Sequence, residues 1–196
     1  MLKRYIITGA PGTGKTTLIN ALRSYGYSCF SEISRQVITQ QQSLNTNKTP
    51  WGDLTGFADL VYKQTLSELQ IPLQNTTFVD RGLPDLIAYL TAQSNPIPSY
   101  LLDFPFKTYY ESTIFLTTPW KEIYCNDPQR PQSFQEAMRL HQYLIQAYQN
   151  LNFDIVLIPK TTLTKRVDFI RSFIESKKVY SQLIYGSFTS IIDVKD

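Results

Sequence analysis

The chain has 196 residues, 42% hydrophobic and 18% charged, a composition that suits one globular domain with a real core and excludes a disordered chain. A net charge of +3 suits an anionic small ligand and argues against a nucleic-acid binder, which needs lysines and arginines clustered on one face. The two cysteines, Cys29 and Cys125, read as reduced thiols; no apolar run reaches the roughly 20 residues of a membrane span and none follows Met1-Leu2-Lys3-Arg4 as a signal peptide would, so a soluble cytoplasmic protein is expected.

In chain order, Tyr5-Ile6-Ile7-Thr8 reads as a buried strand and Lys15 to Tyr25 as the helix after it. Ser28-Cys29-Phe30 is a short second strand, and Ile33 to Gln41 a helix. Ser43 to Thr55 is polar and reads as a loop, followed by a helical stripe from Thr55 to Gln70 that stops before Pro72. Thr76 to Val79 is a third strand, and Pro84 to Ala92 a helix with proline in its first turn. Pro96, Pro98 and Pro105 break the stretch from Ser94 to Phe106. Thr113 to Leu116 is a fourth strand and Ile155 to Ile158 a fifth. Between them Ser133 and Glu136 match the capping box S-x-x-E. Phe134, Ala137, Met138, His141, Leu144, Ile145, Tyr148 and Leu151 then fall on one helical face. Leu163 to Ser176 is a closing helix. Apolar strands alternating with helices predict an α/β fold: three layers around a five-stranded, mostly parallel sheet. The expected division is a domain over residues 1–178 and an extension over 179–196, which packs on the domain or on a second subunit of a homodimer.

Gly9-Ala10-Pro11-Gly12-Thr13-Gly14-Lys15-Thr16, with Thr17 after it, matches G-x-x-x-x-G-K-[ST] between a predicted strand and a predicted helix. Average residue frequencies give such a match by chance in about one chain of this length in a hundred, or fewer. The glycines open a backbone path whose N–H groups point inward at phosphate oxygens, and the following helix turns its positive end to the same anion. Lys15 is expected at the outer phosphates and the Thr16 hydroxyl at Mg²⁺. The ligand is a nucleoside triphosphate, ATP in the first place with GTP left open; Asn47-Lys48-Thr49-Pro50 lacks the aspartate of the N-K-x-D that a switch GTPase carries.

Four blocks narrow the class. Gly9 to Thr17, Ser31-Glu32-Ile33-Ser34-Arg35, Asp80-Arg81-Gly82-Leu83-Pro84-Asp85, and Asn126 to Arg130 followed by Ser133 to Ala137 resemble the AAA_28 group of P-loop ATPases and kinases. That group includes the ribosylnicotinamide kinase domain of NadR, and the resemblance runs over about residues 3–176. It implies a nucleoside- or nucleotide-kinase-like fold with a short lid at about residues 125–132.

Ligands of open α/β sheets sit beyond the carboxyl ends of the strands. Glu32 follows the second strand and Asp80 ends the third, so both are expected at the phosphate site. Phosphoryl transfer needs a group for the acceptor hydroxyl and a carboxylate for the metal. Glu32 is assigned to the acceptor and Asp80 to Mg²⁺, with the reverse kept open, as is a plain helix cap at Glu32. Arg35 binds acceptor or phosphate, or simply pairs with Glu32. Arg81 clamps an anion or braces the Asp80 loop, and Asp85 reads as a cap. Arg130 is expected to neutralise charge on the transferring phosphate from the lid, with Arg139 on the polar face of its helix. His141 reads as a core residue. Packing is the expectation for Trp51 and Trp120, lining of a base or acceptor pocket the alternative. The leading function is Mg-ATP-dependent phosphoryl transfer to a small-molecule hydroxyl, nucleoside-like; the alternatives are a nucleotide-responsive regulatory protein with little turnover and a simple NTPase.

Overall fold

The computed structural model describes residues 2–124 and 132–192, with side chains through Lys177 and at Val179. Cys125, Arg130 and nearly all of the expected lid lie outside the described residues. Residues 1–159 form one compact unit and residues 160–196 a second. The first contains β1 (Arg4–Thr8), α1 (Lys15–Ser24), β2 (Ser28–Phe30), α2 (Ile33–Ser43), α3 (Leu54–Leu69) and β3 (Thr77–Asp80). It continues through α4 (Pro84–Ala92), α5 (Ser99–Leu102), α6 (Phe106–Tyr109), β4 (Thr113–Thr117), α7 (Phe134–Asn150) and β5 (Asp154–Ile158). The second carries α8 (Leu163–Ile192).

The five strands lie in the order β2-β3-β1-β4-β5, and every pairing is parallel. The crossover from β1 to β2 runs one way along the sheet, and those from β2 to β3, β3 to β4 and β4 to β5 run the other. Right-handed crossovers therefore put α1 on one face and α2, α3, α4 and α7 on the other. The packing of α2 on α3, α3 on α4 and α4 on α7 follows that arrangement. Such a sheet is covered on both sides, which is why β1, β3 and β4 are buried at every residue instead of alternating.

Local signals set the helix ends. The Asp53 carboxylate accepts from Gly56 N at 2.8 Å and caps α3, and Pro84 opens α4. The capping box of α7 is formed in both directions between Ser133 and Glu136. Within α7, Ala137, His141, Leu144 and Tyr148 are buried as the stripe predicts, whereas Met138 is 41% exposed at its margin. The proline-rich stretch holds two four-residue helices, α5 and α6, each starting after a proline that presets the first turn. The last helix does not stop at Ser176 but runs on to Ile192, so residues 179–192, expected beyond it, are helical. No proline interrupts that run, and its one glycine, Gly186, is tolerated. Among the described residues no helix is long and apolar enough to cross a membrane.

At the amino end of the sheet, Arg4 lies buried and its Nη2 donates to the carbonyls of Glu68, Leu69 and Ile71 at 3.0, 3.3 and 2.9 Å. Glu68 and Leu69 close α3 and Ile71 follows it, with Glu68 O also accepting from Ile71 N at 3.0 Å, so a side chain distant in sequence ties down the helix end. Burial pushes the neighbouring Glu68 carboxyl up to about 7, although Arg4 pulls it down. The folded chain thus keeps a proton that the unfolded chain releases above the ordinary value of 4.5. The contribution of Glu68 to stability is intact below that value and falls as pH rises towards 7. Glu68→Gln removes the titration. Urea unfolding should show the variant more stable than the parent above neutral pH, with the difference shrinking towards zero in acid; a difference independent of pH would contradict the assignment.

Candidate nucleotide and acceptor site

The glycine turn joins β1 to α1. Gly9, Gly12 and Gly14 have φ of +147°, +73° and +77°, conformations that side chains with a Cβ rarely adopt. Two of these positions are also closed sterically. A Cβ on Gly9 would lie 2.1 Å from Thr117 Oγ1, and one on Gly12 would lie 2.7 Å from the Tyr124 ring. Gly14 is the N-cap of α1, its first turn has no acidic residue, and Thr16 and Thr17 are exposed there. The helix therefore offers uncompensated N–H groups and a positive end to an anion.

Lys15 is buried, and its Nζ donates to Gly9 O at 2.7 Å and Ala10 O at 2.8 Å. Thr13 Oγ1 and Thr117 Oγ1 lie 2.7 Å apart, with Ala10 O 2.8 Å from the first and Thr8 O 3.0 Å from the second; one hydroxyl donates to the other, and the one that accepts donates to its own carbonyl. The turn is thereby tied to the end of β4 as well as to β1.

Glu32 and Asp80 meet as the sheet order requires, because β2 and β3 are parallel neighbours whose carboxyl ends lie together. Thr16, Glu32, Arg35 and Asp80 line one cavity of about 520 Å³ between α1 and α2, which reaches the start of α1 at Thr16. Glu32 occupies the N-cap position of α2 but makes no side-chain cap hydrogen bond. Its carboxylate turns instead to Arg81, whose Nε lies 2.6 Å from Oε1, and more loosely to Arg35, at 3.9 Å from Oε2. Arg81 is engaged from several sides. Its side chain is 5% exposed, and Nη1 donates to Gly9 O at 3.0 Å and Asp85 Oδ1 at 3.1 Å. Burial works against its charge, but Tyr89, Glu32, Asp85 and Asp80 outweigh it and hold the guanidinium pKa well above its ordinary value. Arg81 has φ +72°, a costly backbone for an arginine, kept in place by these contacts.

Asp85 differs from expectation. It is not a simple cap: Thr8 Oγ1 and Tyr148 OH each donate to it at 2.5 Å, alongside Arg81 Nη1 and Gly82 N. The first turn of α4 faces the interior here, so the carboxylate is consumed by buried donors. Burial, then Asp85, hold the Tyr148 phenol well above its ordinary pKa, so it stays a donor. The residues missed at the sequence level are Tyr89, Tyr124 and Tyr148. Tyr148 carried a signal, being a hydroxyl in the middle of an apolar stripe. Tyr124 carried none: only folding seats its ring on Gly12 and joins its hydroxyl to Gln132 O.

On the other side of Glu32 lies a narrow cleft of about 30 Å³, room for about one water. Glu32, Arg81, Trp51, Phe57 and Tyr89 line it. Trp51 is 48% exposed, so it does not pack in the core as expected. Its loop is held to α4 by Gln93 Nε2 on Pro50 O at 3.0 Å. Trp120 is half-buried and away from both cavities, and His141 is buried. Arg139 lines a third groove with Tyr89 and Gln132, not the phosphate cavity.

A Mg²⁺ ion takes hard oxygen donors, usually one or two carboxylates together with substrate phosphates and several waters. The exposed Thr16 hydroxyl and the Asp80 carboxylate on one open cavity fit that donor set. Among the described residues no group of three or more His, Cys, Asp or Glu forms a dedicated cage.

Comparison with solved structures gives the same fold. Deoxyadenosine kinase from M. mycoides with bound dCTP superposes with a TM-score of 0.61 at 12% identity, over 89% of this chain and 100% of that one. The same enzyme with bound dATP gives 0.55 at 14% identity, over 88% and 99%. Thymidylate kinase from Candida albicans gives 0.60 at 15% identity, over 90% and 92%. No curated protein sequence matches the chain. The AAA_28 family model, described as an AAA domain, matches residues 4–166, from the first residue of β1 into α8 and across the glycine turn, Glu32, Asp80 and Arg81; the chain belongs to the AAA_28 family.

Proposed function

We propose that the protein transfers a phosphoryl group from Mg-ATP to a hydroxyl of a small, neutral, nucleoside-like acceptor. The observation that carries this reading is the position of Glu32, which lines both the cavity that Thr16 and Asp80 share and the aromatic cleft. A transfer site needs such a boundary, with triphosphate on one side, acceptor on the other and a proton acceptor between.

The glycine turn, α1 and Lys15 bind the outer phosphates. Thr16 and Asp80 hold the Mg²⁺, which when bound offsets charge on those phosphates. In the cleft, a hydroxyl donates its proton to Glu32 and accepts from Arg81 Nη2, a buried N–H with no hydrogen-bond partner among the described residues. This donor–acceptor pair matches an alcohol. A monophosphate offers acceptors only and would face Glu32 and Asp85 across a single guanidinium. Trp51, Phe57 and Tyr89 offer ring faces to a flat heteroaromatic group, and the exposed Trp51 is the side chain that gives way to widen the cleft. The solved relatives that share the fold include a deoxyadenosine kinase, which agrees with this class of acceptor. The deciding experiment offers Mg-ATP with deoxyadenosine, thymidine, ribosylnicotinamide and simple alcohols, and reads products by mass. Phosphorylated nucleoside is expected. ATP binding with no product from any of them would instead favour a nucleotide-responsive binding protein.

Lys15→Ala removes the cation but leaves the backbone cradle. Calorimetry should show ATP binding weakened about tenfold or more, with any adenosine binding unchanged. Equal loss for both ligands would place the fault in folding.

Glu32→Gln should keep Mg-ATP affinity and lower turnover by about a hundredfold or more. Asp80→Asn should raise the Mg²⁺ concentration needed for half-maximal rate. Full turnover in Glu32→Gln would remove that residue from the chemistry, and an unchanged metal titration in Asp80→Asn would remove Asp80 from the metal.

A further inference from the structure

Asp85 touches neither the glycine turn nor the phosphate cavity through its side chain, yet it accepts four hydrogen bonds, from Thr8 Oγ1, Arg81 Nη1, Gly82 N and Tyr148 OH. A carboxylate has about four lone-pair sites, so Asp85 has none left for a ligand. Its donors come from separate parts of the fold: the end of β1, the turn after β3, and α7. Asp85 is therefore fixed from several directions before it meets Arg81.

Arg81 in turn is shared between two carboxylates, with Nε 2.6 Å from Glu32 and Nη1 3.1 Å from Asp85. A guanidinium is a rigid planar fork. Fixing Nη1 fixes the direction of Nε, and so fixes where the Glu32 carboxylate sits. Of the two contacts from arginines to the Glu32 carboxylate, the one from Arg81 is 2.6 Å, against 3.9 Å from the 40% exposed Arg35.

We infer that Asp85 is a positioning residue: acting through Arg81, it sets the placement of Glu32 between the two cavities, and Tyr148 makes that placement depend on the docking of α7. The consequence for catalysis rests on the reading that Glu32 receives the acceptor proton; the placement itself does not. A merely structural Asp85 would hold α4 to α7 and leave the Arg81–Glu32 contact unchanged when replaced.

The test is NMR of the isotope-labelled full chain, following solvent exchange of the Arg81 Nε–H. In Asp85→Asn the side-chain amide opposes the arginine with its own donors. Exchange at Arg81 should accelerate about tenfold or more while the slow amides of β1 and β4 keep their rates. Unchanged Arg81 exchange in folded Asp85→Asn overturns the inference. If that variant does not fold, Tyr148→Phe keeps the carboxylate but removes one of the two donors on its Oδ2, and an acceleration of about threefold or more is expected; no acceleration overturns the inference equally. With deoxyadenosine as probe acceptor, Asp85→Asn should lower kcat about tenfold with KM within about threefold. Adding Glu32→Gln should bring little further loss, because the two act as one unit, whereas losses that simply multiply would show independent roles. If the parent chain does not phosphorylate deoxyadenosine, the proposed acceptor class fails for that compound and the arginine exchange alone decides the positioning role.

Discussion

A full positive charge at the meeting point of three chain segments governs this site. Arg81 is buried where the ends of β1, β2 and β3 converge, and a buried charge is costly unless paired and hydrogen-bonded. Its partners are one carboxylate from the start of α2, one from the first turn of α4 and a carbonyl from the glycine turn. Each of those groups is held in turn by the need to satisfy the arginine. The left-handed backbone at Arg81 belongs to the same bargain: the strain is stable only because the surroundings over-determine it.

The parallel sheet turns this local pairing into a site. With all five strands running the same way, every carboxyl end lies on one edge, and the loops that leave those ends must share it. β1 sits between β3 and β4, so its glycine turn is flanked by Asp80 on one side and Thr117 on the other. Thr117 closes the space over Gly9 and bonds Thr13, which stiffens the phosphate cradle from the β4 side. Glu32 arrives from the far side of β3 and is drawn inward by Arg81. The result is two cavities that share one carboxylate, one reaching Thr16 at the start of α1 and one lined by Trp51, Phe57 and Tyr89.

The opposite edge of the sheet solves a similar problem with different chemistry. Arg4 is buried as Arg81 is, but its main partners are helix-end carbonyls, with Glu68 nearby. Burial lowers its pKa, where the carboxylates around Arg81 raise that of the site arginine. Carbonyls satisfy hydrogen-bond donors without supplying a counter-charge. Arg4 therefore anchors a helix end, and Arg81 organises an ionic network that includes Glu32 and Asp85.

The sequence by itself determined the periodic and motif-borne parts of this protein. Strand and helix positions followed from apolar periodicity and end signals, down to the capping box at Ser133 and Glu136. The glycine turn was legible because its chemistry is local: backbone conformation, a helix start, one lysine and one hydroxyl in a fixed spacing. The neighbourhood of Glu32 and Asp80 was legible too, because a parallel sheet puts strand ends on one edge. The direction in which buried side chains spend their hydrogen bonds was not. Asp85 reads as a helix cap, and a cap stays open for Glu32 beside its acceptor role, since each stands at a helix start; only the fold supplied Arg81, Thr8 and Tyr148 as partners. The same holds for Tyr124 against Gly12 and for Trp51 at the cleft. Local geometry is written in neighbouring residues, whereas the pairing of a buried charge is settled by whichever donors and acceptors the packing of distant segments brings within reach.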